Sequence, residues 1–127
     1  VKKGKDITLV GAESTVALCC DAADILAENG ISAEVIDART IKPLDFDTIF
    51  ESAKKTGFVI SVEENIRRGG VGEMIVCEAK KRGIDAKIEI KAINDEFIHH
   101  ASLGALREKL GFMPEQIASD AERMQKE

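Results

Sequence analysis

Apolar positions recur with two different periods along this chain, and the periods predict strands separated by helices. The segments at 7–10, 33–37 and 58–62 predict strands, and the almost wholly apolar run at 58–62 is typical of a strand that helices cover on both faces. Residues 86–92 instead alternate alanine and isoleucine with lysine and glutamate, which indicates a strand with one wet face or an outer position in a sheet. We therefore expect a largely parallel sheet with 58–62 at its centre.

Helical periodicity fills the segments between and after the strands. The predicted helices between strands cover residues 15–28, 46–56 and 70–82. After the last strand, Ser102 is expected to cap one helix that Gly111 closes, and Pro114 is expected to open a second, final helix. This alternation predicts a three-layer α/β/α sandwich around a mostly parallel sheet.

Length and composition predict one globular domain over residues 1–127. Hydrophobic residues make up 44% of the 127 positions and charged residues 32%, which suits a domain with an ordinary core. Because the chain opens on Val1 and enters a strand almost at once, we expect a domain cut from a longer polypeptide. Such a domain can lack the catalytic groups of its parent.

Charge and aromatic content restrict the classes of partner. The formal net charge is -5, with 18 basic and 23 acidic residues spread along the chain, so no basic face for a nucleic acid is evident. Tryptophan and tyrosine are absent, which disfavours a base-stacking platform. No apolar run approaches 18 residues, and the opening VKKGKD lacks the apolar core of a signal peptide. The sequence predicts a cytoplasmic protein with neither nucleic-acid nor membrane partners.

The densest candidate chemistry lies in EENIRRGGVG, residues 63–72, directly after the strand at 58–62. The candidate residues are Glu63, Glu64, Asn65, Arg67, Arg68, Gly69, Gly70 and Gly72. The glycines match neither G-x-G-x-x-G nor the P-loop, although a glycine-rich turn before a helix still offers amide donors to an anion. Adjacent glutamates at a strand end point to opposite faces, so they cannot act as an acid/base pair. We predict a tight turn at a domain interface, with anion binding as the alternative.

The spacing of the histidines and cysteines matches no known catalytic or metal-binding motif. His99 and His100 are adjacent, which is the wrong spacing for two metal ligands on one helix face, so they are interpreted as loop residues at an interface. Cys19, Cys20 and Cys77 contain no C-x-x-C motif and are expected to be reduced thiols. The sequence predicts no catalytic, cofactor-binding or metal-binding residue within this chain.

Three longer motifs resemble a known family. They are EVIDARTIKPLD at 34–45, FVISVEENIRRGGVGEMI at 58–75 and INDEFIHHASLGALREKLGF at 93–112. In this order they resemble the C-terminal domain of transketolase-type thiamine diphosphate enzymes, over nearly the whole chain. The ending Asp95-x-Phe97-Ile98-x-His100-x-Ser102 resembles the 1-deoxy-D-xylulose-5-phosphate synthase subfamily more than transketolases or the beta subunits of 2-oxo-acid dehydrogenases.

The resemblance implies more than the residues alone do. It implies a mixed sheet of about five strands, one of them antiparallel, with the uncounted strand in the C-terminal half or the 38–42 link. It also implies that two preceding domains hold thiamine diphosphate and magnesium, and that the parent synthase is a homodimer. That synthase condenses pyruvate with glyceraldehyde 3-phosphate for isoprenoid and thiamine biosynthesis. This domain is then an inactive assembly module whose loop at 63–72 meets the other domains. The alternatives are the C-terminal domain of a transketolase or of a 2-oxo-acid dehydrogenase beta subunit, and a regulatory module that binds anionic metabolites.

Overall fold

The fold is an α/β sandwich in a computed structural model that describes residues 2–11, 15–38, 46–64, 71–93 and 103–126. The elements are β1 (Ile7–Gly11), α1 (Thr15–Glu28), β2 (Ala33–Asp37), α2 (Phe46–Thr56), β3 (Phe58–Glu64), α3 (Val71–Arg82), β4 (Lys87–Ile93) and α4 (Leu103–Lys126). The predicted fold class is confirmed. None of the described helices is both long and apolar enough to cross a bilayer.

Glycines end the first three helices where the sequence predicts stops. Gly30, Gly57 and Gly83 have φ angles of 79°, 80° and 67°, a left-handed conformation that side chains disfavour. After α1, the N–H of Ile31 donates to the carbonyl of Leu26 at 2.9 Å, which satisfies one of the helix's last carbonyls. Each glycine thus turns the chain back toward the sheet.

The sheet has the strand order β2-β1-β3-β4, and all neighbouring strands are parallel. As predicted, β3 lies inside the sheet and β4 at its margin. Within the described ranges, the antiparallel pairing consists of one bridge between Lys2 and Val35, at the outer edge of β2. The sheet of the described residues has four strands, so the implied fifth strand is not among them; most of the 38–42 link and residues 94–102 lie outside the described ranges.

Helices cover both faces of the sheet. On one face α1 and α4 enclose an aliphatic cluster that includes Leu9, Leu26 and Ile117. On the other face α2 and α3 enclose a second cluster around Ile49 and Ile75. The amide of Gln125 in α4 also donates to the carbonyl of Asp6 at 2.7 Å, which fastens the end of α4 beside the start of β1.

The prediction of two C-terminal helices is wrong. A single helix, α4, runs through Gly111 and Pro114. Proline removes one backbone hydrogen bond, and glycine lowers helix propensity. Beyond Pro114, however, Ile117 and Ala121 are fully buried, so packing against α1 and the sheet outweighs these local penalties.

Candidate functional site

The carboxyl ends of β1 and β3 form the edge at which open α/β sheets usually bind ligands. The connection after β1 leads to β2 on one side and the connection after β3 leads to β4 on the other, so the topological switch point lies between β1 and β3. Buried Thr15, the first residue of α1, donates its hydroxyl to the carbonyl of Val62 at 2.8 Å. A Cβ on Gly11 would lie 3.0 Å from the Cα of Val16. The start of α1 is thus packed directly against the end of β3.

The buried carboxylate of Glu63 lies at the other side of this edge and is 7% exposed. Its Oε1 atom accepts two hydrogen bonds. The N–H of Gly72 donates one, and the hydroxyl of Ser61 donates the other at 3.3 Å. Gly72 is the second residue of α3, where unpaired N–H groups and the helix dipole favour a negative charge. Glu63 therefore caps α3 from within the fold.

Gly72 is required at this position by its neighbour on β4. A Cβ added there would lie 2.7 Å from the Cγ1 of Ile90 and 3.0 Å from its Cδ1. The absent side chain lets the first turn of α3 approach both Glu63 and β4. Gly72 is predicted both for the candidate loop and for the helix over 70–82, and it is a close-packing residue at the start of that helix.

The structure shortens the predicted loop at 63–72. Strand β3 continues through Glu64, whose backbone is in register with Ile93, and α3 already begins at Val71. The connection therefore comprises residues 65–70, and Glu63 and Gly72 are joined by a hydrogen bond across it. The side chain of Glu64, and the predicted residues Asn65, Arg67, Arg68, Gly69 and Gly70, lie outside the described residues, so their docking role stays a prediction.

The other sequence candidates are the two histidines and the three cysteines. His99 and His100 lie outside the described residues. Across the parts of the chain that are described, no three side chains of histidine, cysteine, aspartate or glutamate converge as metal ligands. Burial raises the pKa of the Cys19 thiol to about 12, whereas Cys77 is exposed on α3.

A groove of about 520 Å³ lies between the N-terminal segment, β2 and α2, and no local pattern in the sequence predicts it. It is lined by Lys2, Lys3, Glu34, Val35, Ile36, Thr48, Glu51, Ser52 and Lys55. Burial alone would raise the pKa of Glu34, but hydrogen bonds from Lys55, Ser52 and the N–H of Gly4 outweigh it and lower that pKa. The Lys55 ammonium lies 2.8 Å from the Glu34 carboxylate, so these two opposite charges are paired within the groove.

Comparison with known proteins decides the family. Residues 1–117 match the family profile described as "Transketolase, C-terminal domain". The chain belongs to the transketolase C-terminal domain family. The resemblance drawn from the three motifs is therefore confirmed.

Members of this transketolase family with different activities are similar to the chain. It is 34% identical over 124 residues to the 1-deoxy-D-xylulose-5-phosphate synthase of Heliobacterium modesticaldum, which covers 98% of this chain and 19% of the synthase. It is 50% identical over 84 residues to the mitochondrial pyruvate dehydrogenase E1 component subunit beta of Dictyostelium discoideum, or 66% of this chain and 24% of that subunit. The chain thus spans about a fifth of the synthase it matches.

A solved structure gives the same transketolase fold. The protein described as "Split gene transketolase, inactive beta4 tetramer" superposes with a TM-score of 0.81 at 31% identity, over 98% of this chain and 41% of that one. The α/β sandwich of this chain is therefore the fold of the family.

Proposed function

We propose that this chain is the C-terminal domain of a 1-deoxy-D-xylulose-5-phosphate synthase and acts there as an assembly domain. The observation that carries the proposal is the match to such synthases over 98% of this chain but only 19% of theirs. The parent enzyme would be a cytoplasmic homodimer that condenses pyruvate with glyceraldehyde 3-phosphate. The preceding domains would bind thiamine diphosphate and magnesium and would supply the catalytic residues.

The described residues do not fit thiamine diphosphate or its magnesium ion. Magnesium bound to a diphosphate needs carboxylate or carbonyl oxygens that converge on it. Among the described side chains, no three acidic, cysteine or histidine residues lie close enough together to hold a metal ion. At the start of α3, Glu63 already accepts the N–H of Gly72. A diphosphate at that helix end would meet a buried carboxylate, so we assign no step of the reaction to this chain.

The same geometry supports an assembly role over binding of anionic metabolites at residues 63–72. A carboxylate of the chain itself occupies the amide that an anion would use, and its negative charge repels a second anion. The connection at 65–70 starts and ends on fixed elements, because β3 is paired with β4 up to Glu64 and α3 is capped by Glu63. Such a loop can present its arginines to a neighbouring domain.

A second candidate is the C-terminal domain of a 2-oxo-acid dehydrogenase beta subunit. The specific observation in its favour is the 50% identity to the pyruvate dehydrogenase subunit, which is higher than the 34% identity to the synthase. The match to the dehydrogenase subunit is shorter, however, at 84 residues against 124. The parent enzyme distinguishes the two. A synthase consumes glyceraldehyde 3-phosphate together with pyruvate, whereas a dehydrogenase oxidises pyruvate when only an electron acceptor is added.

The isolated 127-residue chain tests the assembly role directly. We expect no turnover with thiamine diphosphate, magnesium, pyruvate and glyceraldehyde 3-phosphate, and turnover by the chain alone would contradict the proposal. Titration with glyceraldehyde 3-phosphate, followed by the amide signals of Gly69, Gly70 and Gly72, should give no saturable shift. A saturable shift that the double variant Arg67→Glu/Arg68→Glu abolishes would favour the metabolite-binding alternative.

A further inference from the structure

The outer edge of β4 is a backbone surface with defined directions. Lys87 donates its N–H to the carbonyl of Gly57 at 3.1 Å, on the β3 side, so alternate residues from Lys87 onward direct their backbone groups toward β3. The backbone groups of Ile88, Ile90 and Ala92 consequently point away from the sheet. Among the described residues, β3 is the strand that pairs with β4, and β4 is an end of the sheet. Unpaired edges of this kind template pairing with another strand.

Apolar side chains accompany this edge at the surface. Ile90 is 36% exposed and contacts the position of Gly72 in α3. Val76 lies one helical turn after Gly72, on the same side of α3, and is 37% exposed. The edge of β4 therefore joins backbone hydrogen-bonding groups to an apolar margin, which is a combination typical of an interface.

The sequence of β4 is complementary to itself when it is reversed. In an antiparallel pair centred on Ile90, the outward backbone groups of Ile90 face those of Ile90 in the other copy, and Ile88 faces Ala92. The same register places Glu89 opposite Lys91, and by symmetry Lys91 opposite Glu89. Opposite charges directly across two strands stabilise the pair, and like charges destabilise it. A twofold axis at Ile90 thus matches hydrogen bonds and charges together.

We propose that β4 pairs antiparallel with β4 of a second copy of this chain, about a twofold axis at Ile90, and joins two sheets into one of eight strands. Such an isologous contact closes on itself and leaves no further edge of the same kind. Val76 and Ile90 of both copies would be covered by the contact. The inference concerns this chain alone and does not depend on the parent reaction.

A charge exchange across the axis tests the pairing in solution. In each copy Glu89 also lies 2.6 Å from Arg123, and Lys91 lies 2.5 Å from Asp120, so single reversals cost one internal ion pair each. Glu89→Lys and Lys91→Glu should each weaken dimerisation about tenfold, because each creates two like-charge pairs at the interface. An equimolar mixture should recover dimers, because lysine of one variant then faces glutamate of the other although the internal pairs stay broken.

Analytical ultracentrifugation of the 127-residue chain supplies the measurement. Glu51→Lys and Lys54→Glu, two exposed positions on α2, are the matched controls and should leave dimerisation unchanged. A wild-type chain that stays monomeric at about 0.5 mM would overturn the proposal, since even weak specific dimers form in that range. So would a mixture that dimerises no better than the two variants separately.

Disulfide crosslinking tests the register. In the background Cys77→Ser, Ile90→Cys should crosslink two copies, because Cα atoms of a hydrogen-bonded antiparallel pair lie about 5.5 Å apart. Ile88→Cys is the matched control on the same edge, and its two copies would lie about 14 Å apart. Crosslinking at 88 in preference to 90, or at neither position in a chain that dimerises, would show that another surface is used.

Discussion

The two faces of the sheet are built differently. Between the sheet and helices α1 and α4, the buried side chains are almost entirely aliphatic. Between the sheet and helices α2 and α3, the core also contains a hydroxyl cluster in which Thr8 lies 2.7 Å from the oxygen of Ser52 and 2.9 Å from that of Thr56. Glu63 caps α3 on this same face.

The difference separates two ways of fixing a helix on a sheet. Aliphatic packing is strong but has little directional preference, so the α1 and α4 layer depends on shape. Hydrogen bonds have direction, and a buried hydroxyl without a partner is costly, so the α2 layer is held in one position relative to β1.

The largest effect is expected from a cavity in the aliphatic face. Leu26 is fully buried, and Leu26→Ala should lower the free energy of unfolding by about 2–5 kcal/mol through lost burial and a residual cavity. Urea denaturation followed by circular dichroism measures the change. Met74→Ala is the control, because Met74 is 39% exposed and the substitution should change stability by less than about 0.5 kcal/mol. Equal losses in both variants would contradict the close-packed description.

Two shape-conserving exchanges compare the faces directly. Thr8→Val should cost about 1–3 kcal/mol because it leaves the hydroxyls of Ser52 and Thr56 short of a partner. Val35→Thr on the aliphatic face should cost a similar amount for the opposite reason, since it buries a new hydroxyl among hydrocarbon.

The triple variant Thr8→Val/Ser52→Ala/Thr56→Val sharpens this comparison. Removing the whole hydroxyl cluster should restore only part of the stability that Thr8→Val loses, because Thr56 also donates to the carbonyl of Phe58 at 3.0 Å and Ser52 also hydrogen-bonds Glu34. The same urea titrations measure all of these variants. A triple variant less stable than Thr8→Val would show that the cluster contributes net stability rather than position.

The smallest effect concerns Glu34 at the margin of the polar face. Its pKa lies below the ordinary value, so its contribution to stability is present above about pH 4.5 and is lost as the pH falls through the folded-state pKa. Glu34→Gln should therefore lower stability at pH 7 by less than about 1 kcal/mol, because the partner Lys55 is half-exposed, and this deficit should disappear toward pH 3. Melting temperatures measured across this range provide the check, and a deficit that grows in acid would reverse the assigned sign.

Local patterns predicted most of the fold because the strands and the helix ends are local features. The apolar run at 58–62 placed β3 inside the sheet, and Gly30, Gly57 and Gly83 fixed three helix ends. The predicted helix boundary at Pro114 was wrong, because α4 continues through Pro114 and is stabilised there by packing against α1 and the sheet.

The candidate site was less predictable because its contacts join distant positions. Thr15 and Val62 meet across 47 positions, and Thr8 meets Ser52 across 44. In the sequence Glu63 belongs to a charged run, and only the fold shows that its carboxylate is buried against Gly72. The family was nevertheless recognisable, since whole motifs carry information that single spacings do not.

The hydrogen bond between Gln125 and Asp6 has a consequence for synthesis on the ribosome. It joins positions 119 apart, and α4 supplies Ile117, Ala118, Ala121 and Met124 to the core formed with β1, β2 and α1. While the chain grows, these earlier elements have no α4 to cover them, and exposed aliphatic surface of this kind attracts chaperones and promotes aggregation. The domain consequently completes its core only after the last turns of α4 leave the exit tunnel.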